Sequence, residues 1–333
     1  MKKIISLLLA VLMLACMFTG CANEETEAVE TPEVTEEPTT IRVGAMTGPT
    51  SMGMVKLMDE SDNGESANKY EFTLQSEATA FVPALTKGEI DIAAVPANLA
   101  SVIYNNTDGG IKVLSVCATG VLYIVERGDS IKSFADLAGK NIYATGEGAT
   151  PEYSLRYLLK ANGIDGDNAP TIQWCADTTE ALSYISQDEN AIAMLPQPFV
   201  TAAQSKVSDL KVALSLNDEW QKVNDGASMA TGVVVVRTEF AEKYPQQLAT
   251  FMEEYAASVK FVNENNDQAS ELIGNYEIVK APIALKALPY CNICYLTGDE
   301  LKECLNAYLS ALYEMNPQSV GGSLPDDGLY YAS

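Results

Sequence analysis

The chain of 333 residues contains no histidine. Without an imidazole there is no Ser-His-Asp or Cys-His nucleophile pair, no HExxH zinc helix and no two-His iron site. Any chemistry is left to carboxylates, lysines, thiolates or an external cofactor. Basic residues are scarce as well: 21 Lys and Arg stand against 45 Asp and Glu, a formal net charge of −24. That balance argues against nucleic acid or anionic lipid as partner, since both are met by basic patches. The first apolar run is too short for a membrane span of about 20 residues, and nothing like it recurs. What is present is 47% hydrophobic and 20% charged, the balance of a folded globular chain long enough for about two domains.

Residues 1–21 carry Lys2 and Lys3, an apolar run from Ile4 to Phe18, then Thr19, Gly20 and Cys21. A positive end, an apolar middle and small residues before a cut read as a secretory signal. Small residues before a cysteine resemble the bacterial lipobox, which implies lipidation of Cys21 and an extracytoplasmic chain anchored to the cell membrane by that lipid alone. Phe18 stands where leucine is usual, and Cys16 behind Leu14 and Ala15 offers a rival cut. Residues 22–40, rich in Glu, Thr and Pro, have almost nothing to bury and read as a disordered acidic tether. Cleavage removes two lysines and no acid, leaving 19 basic against 45 acidic residues, a net of −26.

From Ile41 onward short apolar runs alternate with helical patterns. Strands are expected at 41–46, 70–75, 90–96 and 112–119, with helices at 51–60, 79–88 and 97–106 between them. A second series places strands at 121–126, 141–146, 171–176, 191–196 and 211–216, and a helix over 152–163 with Leu155, Leu158 and Leu159 on one stripe. Asp177-Thr178-Thr179-Glu180 has the spacing of a capping box. The run 230–237 is the last strong strand. After it, Phe240 to Val262 keep helical spacing for about six turns, and 299–315 forms a final helix. No solenoid repeat is visible. Near-continuously apolar strands alternating with helices predict an α/β fold of two similar lobes with a ligand cleft between them.

Four stretches, VGAMTGPTSMGM (43–54), GEIDIAAVPANLA (88–100), DLAGKNIYATGEGATPEY (136–153) and AIAMLPQPF (191–199), resemble the lipid-anchored solute-binding proteins of ABC importers. The resemblance is to the family of nitrate, sulfonate, taurine and thiamine-precursor binders. It implies a type II periplasmic-binding-protein fold: lobe 1 from 41–120 plus 235–333, lobe 2 from 121–234, and crossing segments near 120–125 and 228–235. It also implies a monomer that carries a small-molecule solute to permease and ATPase subunits, with no cofactor, no metal and no catalysis.

Several loops are candidates to hold the solute. Met46, Thr47, Gly48, Thr50 and Ser51 lie between the first strand and a helix, where Thr50 or Ser51 can cap and helix amides can cradle an oxygen-rich group. Thr145, Gly146, Gly148, Ala149 and Thr150 repeat that arrangement in the second series, with Pro151 suited to a first helical turn. Ala97 and Asn98, and Pro196 and Gln197, follow a buried strand in each lobe. Asn98 and Gln197 carry amides that fix orientation, although Asn98 is equally suited to a helix cap. Tyr123 and Trp174 are candidates to stack on a planar ligand, with a core role as the alternative. None of these loops holds Lys or Arg; Lys56, Arg127 and Arg156 are close in sequence but read as solvated surface. The expected solute is therefore small and neutral or zwitterionic, and planar if an aromatic stacks on it.

Five cysteines follow Cys21: Cys117, Cys175, Cys291, Cys294 and Cys304. Cys291 and Cys294 form a CxxC, but no second CxxC and no histidine complete a zinc set, and the stretch is extended rather than a helix start. Buried free thiols are expected, with one disulfide among Cys291, Cys294 and Cys304 as the alternative. Two other functional classes stay open at this point. An enzyme on the same fold would need a carboxylate pair on facing strand ends, and the pyrimidine-precursor synthases that resemble this family use histidines the chain lacks. A ligand-sensing surface lipoprotein without a transporter is the other.

Overall fold

A computed structural model describes residues 39–332. The signal segment, the proposed lipidation at Cys21 and the tether as far as residue 38 lie outside the described residues. The chain opens with β1 (Thr40–Met46), α1 (Pro49–Met52), α2 (Val55–Asp62), β2 (Lys69–Gln75), α3 (Phe81–Thr86), β3 (Ile92–Pro96), α4 (Ala97–Asn106) and β4 (Ile111–Thr119). The second series is β5 (Leu122–Glu126), β6 (Asn141–Thr145), α5 (Thr150–Ala161), β7 (Thr171–Cys175), α6 (Thr178–Gln187), β8 (Ile192–Pro196), α7 (Phe199–Gln204), β9 (Lys211–Ser215) and α8 (Leu216–Val223). Then come β10 (Ala230–Arg237), α9 (Thr238–Lys243), α10 (Pro245–Glu264), α11 (Asn266–Asn275), α12 (Ala281–Ala287), β11 (Ile293–Leu296) and α13 (Gly298–Met315).

Two sheets result. The first runs β11-β4-β10-β3-β1-β2 and the second β7-β6-β8-β5-β9. In each, one strand that has just crossed from the other sheet inserts antiparallel: β10 between β3 and β4, and β5 between β8 and β9. At the edge of the first sheet β11 also pairs antiparallel with β4, while β1, β2 and β3, and β6, β7 and β8, are parallel, so their carboxyl ends share one edge in each sheet. This is the expected two-lobed α/β architecture, and no described helix is long and apolar enough to cross a membrane.

The crossings fall differently than expected, the first shorter and the second earlier and longer. Residues 122–126 belong to β5, so the first crossing shrinks to residues 120–121. All of β10 lies in the first sheet, so the second crossing is α8 with the loop 224–229, and residues 230–234 belong with lobe 1. Four consecutive valines explain this placement: Val233 and Val235 fill the core on one face of the sheet while Val234 and Val236 fill it on the other.

Both distant packing and local chemistry set other boundaries. The expected helix 51–60 breaks at Gly53, where an added Cβ would lie 3.1–3.4 Å from Ile293, Val259 and Tyr255. The long helix from Phe240 divides at Tyr244 because Pro245 occupies the first turn of α10 and disfavours helical geometry in the residue before it. Asp177 does cap α6, accepting from the amides of Thr179 and Glu180, while the Glu180 carboxylate accepts from the Ala176 amide one residue beyond the usual box. One apolar cluster runs through both lobes, joined by α5, α8 and α13 around Trp220, whose ring lies 4.8 Å from that of Tyr157 and 5.3 Å from that of Tyr308. Helix α13 bridges the lobes, with Ser154 of α5 hydrogen bonded to Tyr308 at 3.2 Å.

Candidate ligand-binding site

Where the carboxyl edges of the parallel strands approach one another, they enclose a cavity of about 440 Å³. That lies within the roughly 300–1,000 Å³ of small-molecule sites. Lobe 1 contributes Met46 at the end of β1, Pro49 and Thr50 of α1, the turn Ser76–Thr79 after β2, Pro96 with Asn98 and Leu99 at the start of α4, and Ala118 and Thr231. Lobe 2 contributes Val121, Leu122, Thr145, Ala149, Thr150, Pro151 and Pro196, and Tyr308 of α13 forms part of the floor.

Of the residues singled out in the sequence, Met46, Thr50, Asn98, Thr145, Ala149, Thr150 and Pro196 are brought together on this wall. The others are not, and each has a different task. Gly48 begins α1; its amide donates to the Ser51 hydroxyl and its carbonyl accepts from Ser51, which buries Ser51 as part of a cap. The Thr47 amide donates to the Gln75 carbonyl and ties β1 to β2. Ala97 is a core residue. Gln197 is 3% exposed, its carbonyl oxygen accepting from the amide and hydroxyl of Thr201 in α7. Gly146 and Gly148 both adopt positive φ, and the Gly148 amide is already spent on Glu152 at 2.7 Å.

Both aromatic candidates take the core alternative. Tyr123 is 5% exposed, and its hydroxyl donates to the Tyr290 carbonyl at 2.7 Å. Trp174 pairs in register with Ala144 and packs on the apolar cluster under the second sheet. The wall residues missed from sequence are notably Leu99 in the first turn of α4, Leu122 and Thr231 at strand starts, Tyr308 on α13 more than 100 residues beyond the Pro196 loop, and the Ser76–Thr79 turn, which has no distinctive motif.

Asn98 lines the wall but does not cap α4. Its carbonyl oxygen accepts from the Thr150 hydroxyl of the opposite lobe at 2.9 Å, and its amide donates to the Ser319 carbonyl at 3.1 Å. The pair spans the cleft. Helices α4 and α5, which supply the two residues, have no side-chain cap at their N-termini. Other wall hydroxyls are occupied as well: Thr50 donates to the Met46 carbonyl and Thr231 to that of Ala118. Those of Ser76, Thr79 and Thr145 have no partner among the described residues.

No Lys or Arg lines the cavity. Lys56 pairs with Asp59, Arg127 with Asp209 and Arg156 with Glu152, all outside the wall. The wall carries one carboxylate, Glu77, and no pair set for acid–base chemistry. The five described cysteines are free thiols and none lines the cavity. Burial pushes Cys291, Cys294 and Cys304 up to about 12, the wrong direction for a nucleophile or metal ligand.

Residues 40–279 match the family described as the substrate binding domain of ABC-type glycine betaine transport systems. No curated protein matches by sequence. Among solved structures, an ABC transporter protein from Parabacteroides distasonis is 25% identical with a TM-score of 0.73, covering 88% of this chain and 99% of that one. The periplasmic aliphatic sulphonate binding protein SsuA from Escherichia coli shares the fold at 16% identity and a TM-score of 0.66, covering 86% and 91%. The alkanesulfonate-binding protein SsuA from Xanthomonas axonopodis pv. citri, bound to MOPS, does so at 12% and 0.62, covering 84% and 94%. A cleft lined by both lobes, in a chain matched over most of its length, leads to one assignment: this protein belongs to the substrate-binding domain family of ABC-type glycine betaine transport systems.

Proposed function

We propose that the chain is the extracytoplasmic receptor of an ABC importer, held to the membrane by lipid on Cys21, and that it delivers a small neutral or zwitterionic solute to its permease. The observation that carries the solute reading is the wall itself: apolar side chains and hydroxyls from both lobes, with no cation to neutralise a strong anion. Planarity drops out of the reading, because neither Trp174 nor Tyr123 reaches the wall. Glycine betaine is not proposed as the solute. A trimethylammonium group is recognised by an aromatic cage, and the wall offers Tyr308 alone. A solute touching both lobes favours the closed form by its differential affinity, and the Asn98–Thr150 hydrogen bond joins the lobes at the same place.

A thermal-shift screen across amino acids, amines, sulfonates and pyrimidines tests the solute reading. A true ligand at 100 times its Kd adds about 2.7 kcal/mol, a rise of several degrees in melting temperature. Turnover of a stabilising compound, or no stabilisation by any, overturns it. The anchor has its own test. Cys21→Ala should lose incorporation of labelled fatty acid and release the chain from the membrane fraction; retention of label sinks the assignment of Cys21.

A further inference from the structure

We infer that the solute carries a primary or secondary ammonium group, that this group is held by Glu77, and that its carbon skeleton lies on the apolar wall; the inference rests on the solute-binding reading above. Glu77 sits solvent-exposed in the turn after β2 and is the one acidic residue of the wall. Its carboxylate has neither an ion-pair partner nor a hydrogen-bond donor among the described residues. Where an acid meets a cation at close range, as Asp91 does Arg42 and Glu152 does Arg156, the two pair at 2.6 Å. Glu77 faces a cavity with no cation, so the positive charge it would meet has to arrive with the ligand.

The rest of the wall sets the shape of that ligand. Met46, Leu99, Ala118, Val121 and Leu122 present hydrocarbon across both lobes, which favours a compact apolar body. The unpartnered hydroxyls of Ser76 and Thr79 flank Glu77 in the same turn and can accept from the remaining N–H groups of an ammonium. A quaternary nitrogen has no such hydrogens to give, and the aromatic cage it needs is absent. The net charge of the chain, −24, adds a long-range field that attracts cations and repels sulfonates.

Titration calorimetry with probes on one skeleton tests this: cyclohexylamine, cyclohexanol, cyclohexanecarboxylate and N,N,N-trimethylcyclohexylammonium, against the purified chain and its Glu77→Gln variant. The amine should bind tightest. Glu77→Gln should weaken it about fivefold, the scale of a solvent-accessible ion pair, while leaving the alcohol unchanged. Raising the salt concentration should weaken the amine alone. Tighter binding of the carboxylate or of the trimethyl probe, or an amine affinity indifferent to Glu77→Gln, overturns the inference. If none of the four binds while the wider thermal-shift screen finds a ligand, the class is wrong and the solute-binding reading stands. If that screen is blank too, the solute-binding reading itself has failed.

Discussion

Replacing Asp91 by alanine is expected to lower the unfolding free energy by about 3 kcal/mol, the lower end of the cost of breaking a buried ion pair by removing one partner. Asp91 is 3% exposed and precedes β3. Its carboxylate accepts from the Arg42 amide at 3.0 Å and from the Arg42 guanidinium at 2.8 and 2.6 Å, and Arg237 stands 4.0 Å away. Its backbone does parallel work, the amide donating to the Arg42 carbonyl and the carbonyl accepting from the Arg237 amide. One side chain thus pins β1, β3 and β10 together at the end of the first sheet remote from the cavity. Alanine leaves the Arg42 guanidinium and amide without their acceptor, while Arg237 keeps its pairing with Glu239 at 2.7 Å. Both arginines retain some access to water, which holds the cost near the lower bound. Asp91→Asn keeps an acceptor of the same shape and should lose less. Urea unfolding of the three proteins decides the matter: a midpoint for Asp91→Ala within error of the parent shows that the pairing contributes nothing net, and ligand affinity should be unchanged throughout.

Raising the pH from 7.5 to 10.5 should cost the fold on the order of 6 kcal/mol, about 2 kcal/mol for each of the buried thiols Cys117, Cys291 and Cys304. Burial raises all three above the ordinary value of 9.0, Cys291 and Cys304 to about 12. A raised folded pKa means the native state keeps a proton the unfolded chain gives up. The stabilisation is therefore complete below pH 9 and is lost as the pH climbs from there through 12. Buried Tyr123, raised from 10.0 to about 12 first by desolvation, adds to the same decline. Set against the 5–15 kcal/mol typical of a domain, this should leave the protein near its unfolding threshold. Unfolding midpoints measured with reductant at both pH values test it. A triple Cys117→Ala, Cys291→Ala, Cys304→Ala variant should be less stable at pH 7.5 but show a flatter pH dependence; an equally steep one would falsify the assignment to these thiols.

Much of the fold was legible because its signals are local. The alternation of apolar strands and helices fixed the order of elements, Gly88 and Gly163 ended helices in positive-φ conformations, and Pro151 and Asp177 marked helix starts. Boundaries went wrong where a distant group decided: Gly53 is required by Ile293 and Val259, more than 200 residues further on, and no pattern around Gly53 announces them. The site divides the same way. Thr50, Asn98, Thr145, Thr150 and Pro196 reach the cavity wall because the carboxyl ends of strands are where an α/β cleft opens. Tyr123 was misplaced by one residue, which in a strand is a change of face: Leu122 meets the cavity and Tyr123 the core. Tyr308 carried no signal, because its place on the wall depends on α13 crossing back to pack on α5.

The sequence by itself determined what family the chain resembles and narrowed its chemistry: without histidine, imidazole-dependent mechanisms are unavailable, and the acid excess disfavours anionic partners. Periodicity and turn residues determined the strand and helix order, since each depends on interactions within a few residues. Only the tertiary structure decided which strand ends face each other, that Asn98 hydrogen bonds across the cleft to Thr150, and that Glu77 stands without a partner on a wall without cations. Those facts depend on residues tens to hundreds of positions apart meeting at one place, and a linear pattern has no term for such meetings.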